Sequence, residues 1–432
     1  MLKTMSAADT QMSELRDERL PAMPSMLGDT AQEMLAAAVE AYGGRLLKAR
    51  PSQVTWWPGR SLAVSYDAMV TSGESRRPRR ETFVAKTGCD LPTNTLLLEQ
   101  GEQRIAVWRL VDDPLLPGLA AVMDERRCRE LADTLEAPAG RIRPRLRAYR
   151  PGRRAVVELK ASRFRLFAKA VRRDGVEALQ ARHTVMARHV PVPTSHGWSS
   201  DQGLVLLEDM PGVTLRTCLA TKRAALPHPR ELAGTLDRIP NLGDGKRALC
   251  PVEAAASYAD LIGRLAPELE PRLDALLEGI RGCGDPGPVV PVHGDFYDAQ
   301  LMISGPRVTG LLDVDTAAIG HRINDWATFI GHLAVTAEWG APAVRARVRE
   351  FGRQALAVAQ RECDPSDLRF RAAAVIIGLA TGPFRVQTPA WPEETRRRIA
   401  LAESWVESAE KAARDEKALT SLSDAPHARA RQ

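Results

Sequence analysis

The chain has 432 residues, of which 44% are hydrophobic and 26% charged, and 60 Lys+Arg against 54 Asp+Glu give a formal net charge of +6. This composition is typical of a globular protein, and the length predicts two or three structural units. No apolar run approaches the ~20 residues of a membrane-spanning helix. The N-terminal stretch lacks the apolar centre of a signal peptide, so we expect a cytoplasmic protein without membrane spans.

The six cysteines and the basic residues point to no special partner. The cysteines contain no CxxC pair and no His/Cys cluster, which predicts reduced and mostly buried thiols. The densest basic clusters lie at 76–80 and 396–398. Neither contains the interleaved aromatic residues that binding of single-stranded nucleic acid would favour. They are interpreted as solvated surface, and nucleic acid is not an expected partner.

The first half of the chain carries mainly strand signals. A polar tail over 1–28 is followed by a predicted helix over 30–48 with one apolar face. Period-2 alternation and turn residues then predict strands at 54–57, 62–70, 82–86 and 104–110. Two short helices are expected at 115–123 and 125–135. A second strand-rich segment starts at Arg143, turns at Pro151-Gly152, and continues through a helix over 176–189 to a strand over 203–208.

The second half is predicted to be mainly helical. Helices are expected over 251–265 and 269–280, and long helices from about 324 to 413, before a polar tail over 414–432. A short apolar strand at 289–292 and a hairpin at 301–303 and 308–313 interrupt them. The pattern predicts an α+β protein with a β-rich first lobe and a helical second lobe.

The strongest functional signal lies within 292–327. A strand leads into His293-Gly294-Asp295, Gln300 follows five residues later, and a hairpin ends at Asp313. This order can bring a carboxylate base and oxygen ligands for a hard cation into one small volume. Phosphoryl transfer needs these parts, because Mg²⁺ bridges phosphate oxygens while a carboxylate accepts the proton of the attacking hydroxyl.

These residues resemble the aminoglycoside phosphotransferase/choline kinase-like small-molecule kinases, which are relatives of protein kinases. The family's HxDxxxxN loop, hairpin Asp and later Asp correspond to HGDFYDAQ, LLD and GHRINDWA in this sequence. The resemblance implies a bilobal protein-kinase-like fold, Asp295 as catalytic base, Gln300 and Asp313 as Mg²⁺ ligands, and His293 and Asp325 in structural roles. Gln300 replaces the usual Asn, as it does in the maltokinase-type branch.

The resemblance covers about 140–405 and implies five parts of the chain. They are a disordered tail (1–28), an N-terminal cap subdomain resembling that of maltokinases (29–140), an ATP-binding N-lobe (141–212), a helical C-lobe with the catalytic loop and acceptor site (213–413), and a polar tail (414–432). No motif within the cap is diagnostic.

An ATP site is implied upstream of the catalytic loop. The turn at Gly152, Arg153 and Arg154 is expected near the phosphates, although it is not a GxGxxG loop. Lys169 on the next strand is the candidate phosphate clamp, with Lys86 as its competitor and Glu177 as its ion-pair partner. The segment from Glu208 to Met210 is the expected adenine-binding hinge.

The acceptor would bind against the helical half. Asp298 in the catalytic loop and Trp391, Glu393 and Glu394 further on combine carboxylates with an aromatic ring, which suits a substrate with amines and hydroxyls. An equally supported alternative is that Glu393 and Glu394 only begin a helix, where the helix dipole favours acids.

The sequence therefore predicts an ATP- and Mg²⁺-dependent kinase that phosphorylates a hydroxyl of a small polar molecule, such as a sugar, an amino sugar or an aminoglycoside-like compound. A nucleotide-binding pseudokinase with a regulatory or scaffold role is the alternative, because Gln300, the weak glycine loop and the position of Glu177 depart from the family pattern. A basic nucleic-acid-associated protein is a third possibility. The substrate and the oligomeric state are not defined by the sequence.

Overall fold

The computed structural model describes residues 12, 14–72, 77–134, 142–162 and 164–423, with the backbone alone at 129, 131–134 and 416–423. The chain divides into two compact units. The first unit comprises Met1–Ala187, Pro193–Asp209 and Gly382–Glu393, and the second comprises Arg188–Val192, Met210–Thr381 and Glu394–Gln432. The first unit contains the two large sheets and the second is mainly helical, so the predicted α+β class is confirmed.

The first sheet is antiparallel, in the order β1-β2-β3-β5-β4. Its strands are β1 (Gly44–Trp57), β2 (Ser61–Ser72), β3 (Arg79–Gly88), β4 (Leu96–Gln100) and β5 (Gln103–Arg109). Every second residue of β2 from Leu62 to Val70 is buried, as expected when alternate side chains point into a core. Helices α1 (Met23–Leu27) and α2 (Ala31–Ala41) pack on this sheet.

The second sheet is also antiparallel, in the order β6-β7-β8-β10-β9. Its strands are β6 (Arg143–Arg150), β7 (Arg154–Lys160), β8 (Arg165–Val171), β9 (Ser195–Ser199) and β10 (Leu204–Glu208). One face packs on the chain around helices α3 (Leu119–Met123) and α4 (Glu125–Thr134), through buried Leu116, Leu119 and Val122. The other face packs on helix α5 (Val176–Met186). The predicted boundary at 140 therefore crosses a shared core.

The second unit contains short strands and long helices. The strands are β11 (Val213–Thr214), β12 (Val289–Val292), β13 (Leu301–Ser304), β14 (Arg307–Leu311) and β15 (Ala318–His321). The helices are α6 (Leu215–Ala220), α7 (Pro229–Asp237), α8 (Pro251–Leu265), α9 (Glu270–Ile280), α10 (Arg322–Thr336), α11 (Pro342–Ala359), α12 (Pro365–Ala380), α13 (Gly382–Arg385) and α14 (Trp391–Ser423), of which α13 and the start of α14 belong to the first unit. None of these described helices meets the length and hydropathy needed to cross a membrane.

The chain termini differ from the prediction. Within the predicted tail over 1–28, Leu20, Met23 and Met26 are buried, because this segment covers the first sheet; residues 1–11 and 13 lie outside the described part. At the other end, α14 continues to Ser423, ten residues beyond the expected end of the helix at 413.

The observed elements differ from the predicted ones in two further respects. The helix predicted over 30–48 ends at Ala41, because Gly43 adopts a left-handed backbone (φ 73°) and the chain continues as β1. Strands β4 and β15 were not predicted, since both are short and neither shows a clear alternation of apolar residues.

Candidate active site

A buried carboxylate holds the loop that follows β12. The two oxygens of Asp325, on the first turn of α10, accept the backbone N–H groups of His293 (2.8 Å) and Gly294 (2.9 Å). Burial raises the pKa of Asp325, and the two N–H groups and the nearby His293 act in the opposite direction. The imidazole Nε2 of His293 lies 2.9 Å from the carbonyl oxygen of Leu312. Asp325 and His293 thus tie the loop to the next helix and to the hairpin.

Gly294 is required by its backbone conformation and its surroundings. Its φ is 78°, and a Cβ atom at this position would lie 2.5 Å from the carbonyl oxygen of Thr316. The hydroxyl of Thr316 donates to the carbonyl oxygen of His293 at 3.0 Å. The residue before Asp295 therefore lies in close backbone contact with the turn that follows the hairpin.

The hairpin brings Gln300 next to Asp313. The N–H of Leu312 donates to the carbonyl oxygen of Gln300 at 2.7 Å, which fixes the two backbones side by side. The amide Nε2 of Gln300 lies 3.4 Å from Oδ2 of Asp313. Asp313 itself has a left-handed backbone (φ 56°), an arrangement tolerated mainly by Asp and Asn among non-glycine residues. The two predicted Mg²⁺ ligands are therefore adjacent.

Tyr297 lies within the electrostatic field of these acids. Burial raises the pKa of its hydroxyl to about 12, and the charges of Asp295 and Asp313 add to this effect. Its ring stacks on His332 with centroids 4.1 Å apart, and the guanidinium of Arg216 lies 5.4 Å from the ring centre. Asp295, half-buried, and Asp313 thus share one neighbourhood on the catalytic loop.

Asp298 is engaged by a cation from the same unit. Its side chain is fully buried, and Arg216 at the start of α6 donates to both carboxylate oxygens at 2.9 Å. This bidentate pair neutralises Asp298 and joins α6 to the catalytic loop. Asp298 was predicted to bind an amine of the substrate, but its charge is already used within the protein.

Gln300 and Asp313 have the chemistry that a magnesium site needs. A carboxylate and an amide supply hard oxygen donors, and Mg²⁺ is usually held by one or two protein groups together with phosphate oxygens and water. The 3.4 Å contact between the two side chains allows both to reach one cation. Among the described residues, no group of three or more His, Cys, Asp or Glu forms a separate metal cluster.

Lys169 and Lys86 lie in different sheets. Lys169 is 5% exposed in β8, on the face that also presents Phe167 and Val171 to α5. Lys86 lies in the first sheet, and its ammonium group donates to the carbonyl oxygen of Asp90 at 2.6 Å. The two lysines thus differ in sheet and in burial, and the role of Lys169 as phosphate clamp stays a prediction.

The predicted partner of Lys169 lies on the protein surface. Glu177 is exposed on the first turn of α5, and its carboxylate accepts the hydroxyl of Ser200 at 3.3 Å. The buried polar positions further along this helix are Arg182 and His183, and Nδ1 of His183 lies 3.1 Å from the carbonyl oxygen of Pro193. An ion pair between Glu177 and Lys169 stays a prediction.

The turn between β6 and β7 concentrates positive charge. The N–H of Arg153 donates to the carbonyl oxygen of Arg150 at 2.9 Å, with Pro151 and Gly152 (φ 64°) between them, the residue pattern of a type II turn. Burial lowers the pKa of Arg153, and the charges of Arg150 and Arg154 lower it further. Three arginines, Arg150, Arg153 and Arg154, therefore lie within one tight turn or directly beside it.

A carboxylate from the preceding segment anchors this turn. Oδ2 of Asp113 accepts the N–H of Gly152 at 2.8 Å and the hydroxyl of Tyr149 at 2.7 Å. The N–H of Gly152 is therefore committed to Asp113, so any phosphate contact here comes from other donors. Sequence reasoning missed Asp113, as it missed Arg216, Tyr297 and His332.

The segment predicted to bind adenine spans one of the points at which the chain passes from the first unit to the second. This point falls between Asp209 and Met210. Glu208 is exposed at the end of β10, and its backbone N–H donates to the carbonyl oxygen of Thr194 at 2.8 Å. The Glu208 N–H is thus used within the first unit, while Met210 is half-buried and begins the second unit.

The residues predicted to bind an amine beyond the catalytic loop have other roles. Trp391 is 1% exposed and packs edge-on against Phe384, with ring centroids 5.2 Å apart. Glu393 is exposed in the first turn of α14, and Glu394 pairs with Arg398 at 3.9 Å. This arrangement corresponds to the alternative reading, in which acids occupy a helix N-terminus.

Comparison with known proteins identifies a family for this chain. Residues 136–365, slightly more than half of the 432-residue chain, match the APH phosphotransferase enzyme family. No curated protein matches the sequence significantly.

Several solved structures resemble the chain at low identity. A protein of Ralstonia eutropha JMP134 assigned as an aminoglycoside phosphotransferase has 16% identity and a TM-score of 0.45, covering 67% of this chain and 98% of that one. The macrolide 2'-phosphotransferase MphH of Brachybacterium faecium has 17% identity and a TM-score of 0.39, covering 64% and 97%. Aminoglycoside phosphotransferase APH(4)-Ia has 13% identity and a TM-score of 0.44, covering 65% and 97%.

Similarity at this level does not identify an acceptor. The family match spans the second sheet, the loop after β12 and the hairpin. This chain belongs to the APH phosphotransferase family of small-molecule kinases with a protein-kinase-like fold.

Proposed function

We propose that the protein transfers the γ-phosphoryl group of Mg²⁺-bound ATP to a hydroxyl group of a small polar substrate, such as a sugar, an amino sugar or an aminoglycoside-like compound. The proposal rests on the catalytic loop, where Asp325 fixes the backbone just before Asp295 and the hairpin brings Gln300 to 3.4 Å from Asp313. A cytoplasmic location remains a prediction.

Asp295 is assigned as the base. Its position directly after the Gly294 turn, together with its effect on Tyr297, supports a carboxylate held in a constrained loop beside Asp313. It would orient the acceptor hydroxyl and accept its proton as the oxygen attacks phosphorus. A positioned base of this kind contributes roughly 10²–10⁴-fold to rate.

Gln300 and Asp313 would hold Mg²⁺, which when bound neutralises charge on the phosphate oxygens. Lys169 and the arginines of the Arg150–Arg154 turn would bind phosphates. The buried setting of Lys169 and the charge density of the turn support these roles.

The proposal does not specify the charge of the acceptor. The pairing of Asp298 with Arg216 and of Glu394 with Arg398 removes two of the carboxylates that would have selected an amine. The proposal therefore rests on the hydroxyl acceptor common to all three substrate classes, and the amine is an additional hypothesis.

The test is ADP release by the purified protein with ATP and Mg²⁺ against a panel of neutral sugars, amino sugars and aminoglycosides. Asp295→Asn keeps the size of the side chain and removes the base, so we expect acceptor-dependent turnover to fall by about 10³-fold. Asp274→Asn, an exposed carboxylate on α9, is the matched control and should retain wild-type turnover.

The outcomes separate the alternatives. Acceptor-dependent turnover that survives Asp295→Asn would refute the assignment of the base. Mg²⁺-dependent ATP binding without turnover on any acceptor would favour the pseudokinase. Failure to bind ATP would refute the proposal as a whole.

A further inference from the structure

Asp113 carries a buried carboxylate that no motif in the sequence marks. It is 3% exposed, lies between β5 and α3, and belongs to the segment predicted as the cap. Oδ1 accepts the N–H of Leu115 at 3.0 Å, and Oδ2 accepts the hydroxyl of Tyr149 and the N–H of Gly152. Each of these three donors is electrically neutral.

Two of these hydrogen bonds come from the turn that we assign to phosphate binding and from the residue directly before it. Gly152 and Tyr149 bracket Pro151 at the junction of β6 and β7. The hydroxyl of Tyr149 also accepts the indole N–H of Trp108 in β5 at 3.2 Å. A chain of hydrogen bonds thus runs from the first sheet through Tyr149 and Asp113 to the turn.

Packing reinforces the same contact. A Cβ at Gly152 would lie 3.0 Å from Cδ1 of Leu115, so the turn lies directly against the segment that contains Asp113. Tyr149 also packs on Val84 and Ala106 of the first sheet. The conformation of the turn is therefore set by the N-terminal segment and not by its own hairpin alone.

We propose that Asp113 is a positioning residue for nucleotide binding: together with Tyr149 it holds the Arg150–Arg154 turn so that the arginine side chains face the phosphates. This inference rests on the proposed function, since it assigns the turn to ATP. It makes the N-terminal segment a component of the nucleotide site.

Two variants test the proposal. Tyr149→Phe removes one donor and keeps the ring. Asp113→Asn replaces two acceptor oxygens by one, although donors approach both of them, so at least one N–H or O–H is left unpaired. Tyr66→Phe is the matched control, because the Tyr66 hydroxyl is equally a buried donor in the first unit, to the carbonyl oxygen of Met26 at 2.6 Å, with no link to the turn.

The measurements are the dissociation constant of Mg²⁺·AMP-PNP by calorimetry, the KM values for ATP and for the acceptor, and hydrogen exchange in peptides covering 149–155. We expect Tyr149→Phe and Asp113→Asn to raise the nucleotide dissociation constant about tenfold, equivalent to ~1.4 kcal/mol. Exchange in 149–155 should increase, and the acceptor KM should change less than twofold. Tyr66→Phe should lower thermal stability and leave the nucleotide dissociation constant unchanged.

Unchanged nucleotide affinity in both variants would overturn this inference while leaving the proposed function intact, provided that the wild-type protein binds the nucleotide. An equal loss of affinity in Tyr66→Phe would also overturn it, because the effect would then be one of general stability. If the wild-type protein does not bind Mg²⁺·AMP-PNP, both proposals fail.

Discussion

Arg216 and Asp298 form a bidentate ion pair, with two hydrogen bonds of 2.9 Å, between residues that are 82 positions apart in the sequence. The backbone repeats the connection, since the N–H of Arg216 donates to the carbonyl oxygen of Asp298 at 3.1 Å. Because Asp298 lies three residues after Asp295, this pair fixes the far side of the catalytic loop, and the Asp325 contacts fix the near side.

Removal of Arg216 should therefore affect both stability and catalysis. Arg216→Ala leaves a buried, unpaired carboxylate, and we expect the free energy of unfolding to fall by about 2 kcal/mol, below the range for fully buried pairs because the arginine side chain is 47% exposed. Urea denaturation measures this change. The double variant Arg216→Leu/Asp298→Leu should recover stability without recovering turnover, and a fully active double variant would contradict a role in positioning the loop.

A methyl group at Gly294 should distort the loop before Asp295. Gly294→Ala combines an unfavourable φ of 78° with a Cβ placed 2.5 Å from a backbone oxygen, and we expect a loss of about 3 kcal/mol in stability together with most of the turnover. Gly305→Ala is the matched control, because its φ is 58° and no atom lies within 4 Å of the added Cβ. It should cost about 1 kcal/mol with normal kcat. Equal effects in both variants, by thermal unfolding and kinetics, would refute the steric argument.

Lys169 and Lys86 make contrasting predictions. Lys169→Met should lower kcat/KM for ATP about 100-fold, since it removes a charge expected at the phosphates. Lys86→Met removes a hydrogen bond to Asp90 in the other sheet and should change kcat/KM less than twofold. Steady-state kinetics with varied ATP decides between them. The reverse pattern would assign the phosphate-binding role to Lys86 in the first sheet.

The thiols should differ strongly in reactivity. Burial raises the pKa of Cys283 and Cys363 to about 12 and that of Cys128 to about 11, whereas Cys89 is exposed. The thiolate is the reactive form, so we expect Cys89 to give the fast phase with a disulfide reagent at pH 8 and these three thiols to react only on unfolding. Cys89→Ser should abolish the fast phase, and its persistence would contradict the assignment.

The same shifts predict a loss of stability at alkaline pH. A thiol with a raised pKa in the folded state ionises first in the unfolded chain. Its contribution to stability is thus complete below pH 9 and declines as the pH rises toward 12. Cys283→Ser should reduce the slope of unfolding free energy against pH in this range, as measured by urea denaturation. An unchanged slope would show that Cys283 does not contribute.

Local sequence carried the information for the catalytic loop. His293, Asp295, Gln300, Asp313 and Asp325 all lie within 33 residues, so fixed spacing within a strand, loop, hairpin and helix was enough to predict their convergence. The hydrogen bonds of Asp325 to the loop backbone and the proximity of Gln300 to Asp313 follow from this short-range order, and the catalytic roles of these residues stay predictions.

Other roles depend on distant partners and leave no local signal. Asp298 has an acidic side chain in a catalytic loop, and only the distant Arg216 reveals that its charge is used internally. Trp391 precedes two glutamates, and only tertiary packing shows that its ring is buried. Glu177 lies at a helix start, as the sequence indicated, and its pairing with Lys169 stays a prediction.

The packing of α3 on the second sheet has a consequence for shortened forms of the protein. The strands β7, β8 and β10 present a face of alanine, valine and leucine that is covered by Leu116, Leu119 and Val122. A truncated chain starting near Ile142, although it would contain nearly all of the segment that matches the family, would expose this face to water. Such a fragment should aggregate on expression, and any deletion mapping of activity would have to retain the residues from Leu110 onward.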